Sequence, residues 1–239
     1  MNYQPIFEEV ALTGSTNADL LKRAAAGAPE GLWLRADRQD GGRGRMGRQW
    51  ESADGNLFAS TIVRIGPGSP QAAGLAFVTA VAVREALERT APGIPFSLKW
   101  PNDILVGGAK LCGMLLERRD DAVIIGIGIN LAQHPGGIDR PVTSIAALGG
   151  LTPLPQQMVE TTAHIFGEWL GRWRLGGLPA ILNEWRAHAH EDGDAIGASL
   201  PDGTMVEGSY AGISDDGALK LRLADGSIRA IHAGDIFLL

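Results

Sequence analysis

The chain has 239 residues, 45% of them hydrophobic, which suffices for one large domain or for a main domain with a small appendage, and excludes a disordered chain. A net charge of −6 excludes a generally basic nucleic-acid-binding surface, so any cluster of cations is a local exception in an acidic protein. The single cysteine, Cys112, excludes an internal disulfide and a multi-cysteine metal site; with neither a leader pattern at Met1 to Glu9 nor an apolar run of membrane length, a cytoplasmic setting is the expectation.

Val10 to Thr13 predicts a short strand, and Ser15-Thr16-Asn17 then opens a helix reaching about Ala26. Thr16 and Asp19 have capping-box spacing. Capping is the simpler reading, although it needs only one of these three polar side chains, and the three together also suit an uncharged polar group of a ligand. Gly31 to Ala36 and Asn56 to Ile65 read as strands, the second with Leu57, Ala59, Thr61 and Val63 on one face.

Between those strands lies Asp37 to Trp50, with glycines at 41, 42, 44 and 47 and arginines at 43, 45 and 48. Glycine admits positive φ and lets peptide N–H groups face a phosphate, and each guanidinium is a forked donor, so the stretch is expected to be a mobile anion-binding loop. Gly42 to Gly47 also spells the dinucleotide fingerprint G-x-G-x-x-G. That reading needs a strand directly before and an amphipathic helix directly after, whereas Asp37 to Asp40 is polar and Gln49 to Asn56 lacks helical period. A solvated surface loop is the plain alternative.

Ser69-Pro70 is expected to cap a helix from about Gln71 to Arg89, with Leu75, Val78, Ala82 and Leu87 as its core stripe. Phe96 to Lys99 reads as a strand, followed by a Trp100-Pro101-Asn102-Asp103 turn, Ile104 to Val106, a Gly107-Gly108 turn and a strand from Lys110 to Glu117. Asn102 and Asp103 between Lys99 and Lys110 suit a nucleotide with its Mg²⁺, and equally an ordinary polar turn. Ala122 to Asn130 reads as a buried strand whose Gly126 and Gly128 share a face, a pattern that marks close approach by a backbone or a ligand.

Pro155 to Trp173 and Pro179 to Ala189 predict two amphipathic helices, the first with a Met158, Thr162, Ile165, Trp169, Trp173 stripe read as core. His188 and His190 stand two apart on a helix and face apart, against a shared metal. Beyond Asp192, strand-like runs at 198–200, 205–213, 218–223, 227–232 and 236–239 are separated by Asp202-Gly203, Asp216-Gly217 and Asp225-Gly226, hairpin signals that predict a small antiparallel barrel.

Five stretches in this order resemble the biotin protein ligases: Ser15-Thr16-Asn17; Gln39 with Gly42-Arg43-Gly44-Arg45-Met46-Gly47-Arg48 and Trp50; Lys99-Trp100-Pro101-Asn102-Asp103; Lys110-Leu111-Cys112-Gly113-Met114-Leu115; and Gly126-Ile127-Gly128-Ile129-Asn130. The resemblance implies an α+β fold with a mixed or antiparallel sheet packed with helices over residues 1–190, and a small SH3-like barrel over 191–239 beside the active site, whose deletion is expected to leave a folded protein that transfers poorly to carrier. It implies that biotin and ATP, with Mg²⁺, give biotinyl-5′-AMP, from which a lysine of a biotin carboxyl carrier protein takes the biotinyl group. Lys110, Arg45 and Arg48 would be catalytic. Ser15, Thr16, Asn17, Gln39, Arg43, Gly44, Arg45, Lys110, Gly113, Gly126 and Gly128 would contact biotin. Arg45, Arg48, Trp50, Asn102 and Asn130 would hold the nucleotide, Trp50 by stacking on adenine, and Asp103 the metal. Met46 stands where relatives often carry a basic residue, and Cys112 where alanine is common.

The motifs begin at residue 15, so no DNA-binding helix-turn-helix is expected before them; a homodimer is compatible with the resemblance. Two other classes compete. In the related lipoyl and octanoyl machinery, a ligase would activate another acid or an acyltransferase would carry the acyl group on Cys112; a non-catalytic sensor of biotin or nucleotide is the third reading.

Overall fold

A computed structural model describes residues 3–138 and 140–238. Seven strands form the main sheet in the order β1-β2-β3-β7-β6-β5-β4. They are β1 (Ile6–Thr13), β2 (Leu32–Gln39), β3 (Leu57–Arg64), β4 (Ser97–Lys99), β5 (Asp103–Val106), β6 (Ala109–Arg119) and β7 (Ala122–Ile129). β1 and β2 run parallel and every other neighbouring pair antiparallel, so the sheet is mixed, as expected. Helix α1 (Thr16–Ala25) supplies the crossover that a parallel pair requires.

Alternation along the central strands assigns the two faces. Val123, Ile125, Ile127 and Ile129 of β7 join Leu57, Ala59 and Val63 of β3 in the large core, against α2 (Gly74–Thr90), α3 (Pro155–Gly176) and α4 (Pro179–Ala187). The stripes read from sequence face it: Leu75, Val78, Ala82 and Leu87 of α2 and Met158, Thr162, Ile165, Trp169 and Trp173 of α3 are all buried. On the opposite face, Leu20 and Ala24 of α1 pack on Leu32, Leu34, Ile62, Ala122 and Ile124. Helix α1 covers only that end. Further along the same face lie Gly126, Gly128 and, on β6, Gly113, which leave a shallow floor where side chains would otherwise stand.

Three expectations shift. Helix α2 starts at Gly74, and Ser69 bonds Gly66 instead of capping it, so residues 71–73 form turns. β1 begins at Ile6, because pairing to β2 carries it beyond its apolar residues. Asp103 opens β5 instead of ending a turn, since its backbone pairs with Lys99 and Gly113.

The C-terminal unit is a second antiparallel sheet, order β11-β10-β9-β8-β12: β8 (Ala195–Ser199), β9 (Met205–Ile213), β10 (Leu219–Arg222), β11 (Ile228–Ile231) and β12 (Asp235–Leu238). It is the small SH3-like unit expected; Leu239, the end of the last predicted strand, lies outside the described residues. Gly203, Gly217 and Gly226 all have positive φ, which is why each Asp-Gly makes a tight hairpin. The unit is not packed separately. Tyr210, Ile213, Leu219 and Leu221 belong to the same core cluster as α2–α4, the Trp100 indole N–H donates to the Gly217 carbonyl at 3.1 Å, and Arg186 donates to the Ile213 carbonyl at 2.7 Å.

Candidate active site

A cleft of about 830 Å³ opens over the glycine floor, and the segments singled out in the sequence line it together with Ser199, Asp235, Ile236 and Phe237 of the C-terminal unit. Its two ends differ in chemistry. At one end stand uncharged polar groups. The Ser15 hydroxyl caps α1 by accepting from Ala18 N–H, and Asp19 pairs with Thr13, so Thr16 is not spent on a capping box. Instead Gln39 Oε1 accepts from the Thr16 amide at 2.8 Å and its hydroxyl at 3.1 Å. Ser60 Oγ lies 2.6 Å from Thr16 Oγ1 and donates to Asn17 Oδ1 at 2.6 Å, and Asn17 donates to Glu117 at 2.7 Å. Ser60, fully buried on β3, was missed by sequence reading; its only signal was a polar residue on the face opposite Leu57, Ala59, Thr61 and Val63.

At the other end the lining holds six basic side chains, Arg43, Arg45, Arg48, Lys99, Lys110 and Arg140, against two carboxylates, Asp103 and Asp235. Lys110 is set by a bulge. Between Ile104 and Leu105 the β5–β6 register slips by one residue, so Leu105 pairs with Lys110 while Ile104 pairs with Cys112. A bulge re-aims side chains beside a site. Lys110 consequently enters the cleft while Leu111 and Cys112 are buried. Segment 141–143 clamps it, with Lys110 N–H donating to Pro141 and Lys110 carbonyl accepting from Thr143. Its ammonium lies 2.6 Å from Asp103 Oδ1, both side chains 13% exposed, and 5.5 Å from the Trp50 ring centroid.

Arg140 was also missed as a lining residue, and Lys99, noted in the sequence as flanking the Asn102-Asp103 turn, lines the cleft with it. Burial pushes the Lys99 ammonium below the usual lysine range; Asp103 opposes that shift, and Lys110, Arg140 and Arg48 add to it. A lysine so placed is relieved by an arriving anion.

The basic loop is a tight hairpin. Arg43 bridges Gln49, Gly44 N–H donates to Arg48 at 2.7 Å and Trp50 N–H to Gly42 at 3.0 Å. Those amides are therefore used within the hairpin, in contrast to the open phosphate nest expected. Only Gly47 of its four glycines has positive φ, together with Met46. Gly42 is demanded by close approach: a Cβ there would lie 2.7 Å from the Trp50 carbonyl. Trp50 lies across the floor, its indole so close that a Cβ at Gly128 or Gly113 would overlap it, and Asn17 does the same to Gly126. The approaching bodies are thus side chains of this chain. Gly42→Ser is expected to push Trp50 off the floor and raise the rate of loss of a bound adenylate about tenfold, checked by filter-binding release; an unchanged release rate would count against the hairpin as a cover.

Asn130 sits differently from expectation, whereas Cys112 packs in the core. Asn130 is buried outside the cleft lining, where its amide donates to the Thr143 carbonyl at 3.0 Å and its own carbonyl accepts from Ile145 N–H. It supports segment 141–145, which clamps Lys110, instead of facing a nucleotide. Cys112 is 0% exposed in the core, and burial pushes its thiol far above the ordinary cysteine range. Asn102 does reach the cleft, its amide donating to Met114 and its oxygen 3.4 Å from Arg45.

The fold is that of solved biotin protein ligases: the enzyme of Aquifex aeolicus in complex with biotin and ATP superposes with a TM-score of 0.86 at 28% identity, covering 98% of both chains. The chain belongs to the biotin/lipoate A/B protein ligase family, whose model matches residues 10–130, while residues 196–239 match the biotin protein ligase C terminal domain. It is 36% identical to the biotin–[acetyl-CoA-carboxylase] ligase of Paracoccus denitrificans over 95% of this chain and 98% of that one. A bifunctional ligase/repressor of Bacillus subtilis is 35% identical over 93% of this chain and 70% of its own length.

Proposed function

We infer that this chain is an ATP-dependent biotin protein ligase, which joins biotin and ATP as biotinyl-5′-AMP with release of pyrophosphate and then passes the biotinyl group to a lysine of a biotin carboxyl carrier protein with release of AMP. One observation carries the reading: a single cleft has an uncharged hydrogen-bonding end and a cationic end. Thr16, Asn17 and Gln39 offer hydroxyl and amide groups to a ureido ring, and the buried Ser60 holds Thr16 and Asn17 in place behind them. The hydrocarbon of an octanoyl or lipoyl tail carries no hydrogen-bonding group to match this end of the cleft, so it gains no specific contact there.

At the cationic end, biotin's carboxylate must reach an α-phosphorus. Two anions about 4 Å apart repel by about 4 kcal/mol at an effective dielectric of 20. Lys110, with Arg45 and Arg48, offsets this, and does so most as charge accumulates on the phosphorane oxygens. The carboxylate oxygen forms the new bond to the α-phosphorus as the bond to the pyrophosphate oxygen breaks. In transfer, the carrier amine attacks the acyl carbon, AMP leaves and the amine gives up a proton. Trp50 and the hairpin would keep water from the mixed anhydride between the steps.

No group of three or more His, Cys, Asp and Glu among the described residues is arranged to hold a metal. Asp103 alone fits an ion delivered with the nucleotide, because Mg²⁺ is commonly held by one or two carboxylates with phosphate oxygens and water. It would supply neutralisation of phosphate charge.

Incubating the protein with biotin, ATP and Mg²⁺ should yield biotinyl-AMP by mass spectrometry; lipoate or octanoate in its place should not, and adenylation of either in preference to biotin would reassign the substrate. Cys112→Ser should keep adenylate formation within about twofold and instead lower stability, by about 1–3 kcal/mol for a buried hydroxyl. Loss of transfer in a stably folded Cys112→Ser protein would favour the thiol acyltransferase.

A further inference from the structure

We infer that Asp235, in the C-terminal unit, is a positioning residue for the first half-reaction: it holds Arg45 and Arg48 at the mouth of the cleft before nucleotide arrives. The inference rests on reading those arginines as phosphate ligands.

Asp235 opens β12, and the backbone before it is tightly constrained. Gly234 has φ 152°, and a Cβ there would lie 2.6 Å from the Ser199 carbonyl, so only glycine lets the chain turn into the strand at this point. Pairing of Asp235 with Ser199 on β8 then fixes the carboxylate against the cleft. Its two oxygens serve different arginines. Oδ1 lies 3.3 Å from Arg45 Nη1, which also donates to the Gly234 carbonyl at 3.1 Å, and Oδ2 accepts from Arg48 Nη2.

Among the described residues, one further polar contact holds the hairpin tip to the body of the protein, from Arg45 to Asn102 at 3.4 Å. No residue from Arg45 to Gly47 is buried. Among the described residues, every hydrogen bond from residues 43–49 that leaves the hairpin ends on Asn102, Gly234 or Asp235. Two guanidiniums in one small loop also repel each other, and a carboxylate between them removes that repulsion until phosphate replaces or joins it. A guanidinium has five N–H donors, so Arg45 and Arg48 can keep Asp235 on one edge and take a phosphate on another. The C-terminal unit thereby bears on adenylation as well as on whatever its outer surface meets.

The test compares wild type with Asp235→Asn, Asp235→Glu and, as a control on an exposed hairpin of the same unit, Asp202→Asn. Without ligands, trypsin should cut Asp235→Asn after Arg45 and Arg48 about tenfold faster than wild type, and salt should erase the wild-type protection because part-exposed pairs are screened. In biotin-dependent pyrophosphate exchange, KM for ATP should rise about tenfold with kcat within twofold; Asp235→Glu should recover most of the loss and Asp202→Asn should match wild type. Unchanged cleavage and KM in Asp235→Asn, while Arg45→Ala raises KM, would overturn the proposal and leave the phosphate-ligand reading standing. A fall in KM would overturn it too, since Asp235 would then compete with the nucleotide. Arg45→Ala without effect on KM would instead defeat the reading of the arginines, and with it the kinetic half of this inference.

Discussion

Lys110→Ala should lower biotin-dependent pyrophosphate exchange by two to three orders of magnitude while moving the thermal midpoint by only a few degrees. Removing one preorganised donor aimed at developing charge costs about 10²–10³ in rate, because the interaction strengthens as the transition state forms. Here the donor is preorganised three times over: the β5–β6 bulge turns it into the cleft, segment 141–143 bonds its backbone, and Asp103 orients its ammonium at 2.6 Å. Structural cost is limited, because Lys110 contributes no side chain to the apolar core and Asp103, which loses its partner, lines the cleft. The effect should fall on kcat more than on KM for ATP, since Arg45, Arg48 and Lys99 remain to bind phosphate. A variant that keeps its turnover but melts early would make Lys110 a structural residue and sink the mechanism.

A chain ended at His190 should not reach a cooperatively folded state. Sequence reading expects the opposite, a separable small barrel whose loss spares the fold. In the structure, Phe77 and Leu178 abut Gly217, the Trp100 indole N–H ends on the Gly217 carbonyl, and the core around Trp185 continues into Tyr210, Ile213 and Leu219. Returning each large apolar side chain to water costs about 1.5–3 kcal/mol. A whole domain is stable by about 5–15 kcal/mol. Size-exclusion chromatography should show aggregates and thermal circular dichroism no sharp transition; a monodisperse truncation with a midpoint near that of the full chain would refute the shared core.

What could be read from the chain alone was whatever depends on local spacing. Alternation in 57–63 and 122–130 placed both strands and their faces, because strand side chains repeat every second residue whatever the partner. The 3.6-residue stripes of α2 and α3, and the Asp-Gly hairpins of the last five strands, rest on equally local geometry. Motif order likewise brought to notice Thr16, Gln39, Trp50, Asn102 and Lys110, which the fold gathers into one cleft.

Tertiary structure decided the rest, wherever the outcome depended on a partner far away in the chain. A one-residue slip between β5 and β6 separates Lys110, in the cleft, from Cys112, in the core, although the two stand at the spacing that a regular strand would put on one face. Ser60 became part of the polar end only because α1 brings Thr16 and Asn17 across the sheet to it. Asn130 turned away from the cleft because segment 143–145 takes its hydrogen bonds. Asp235 meets Arg48 across 187 residues, and Arg45 across 190. Such pairings arise only when separate elements bury their apolar faces against one another, and no periodicity within either segment records where the other will lie.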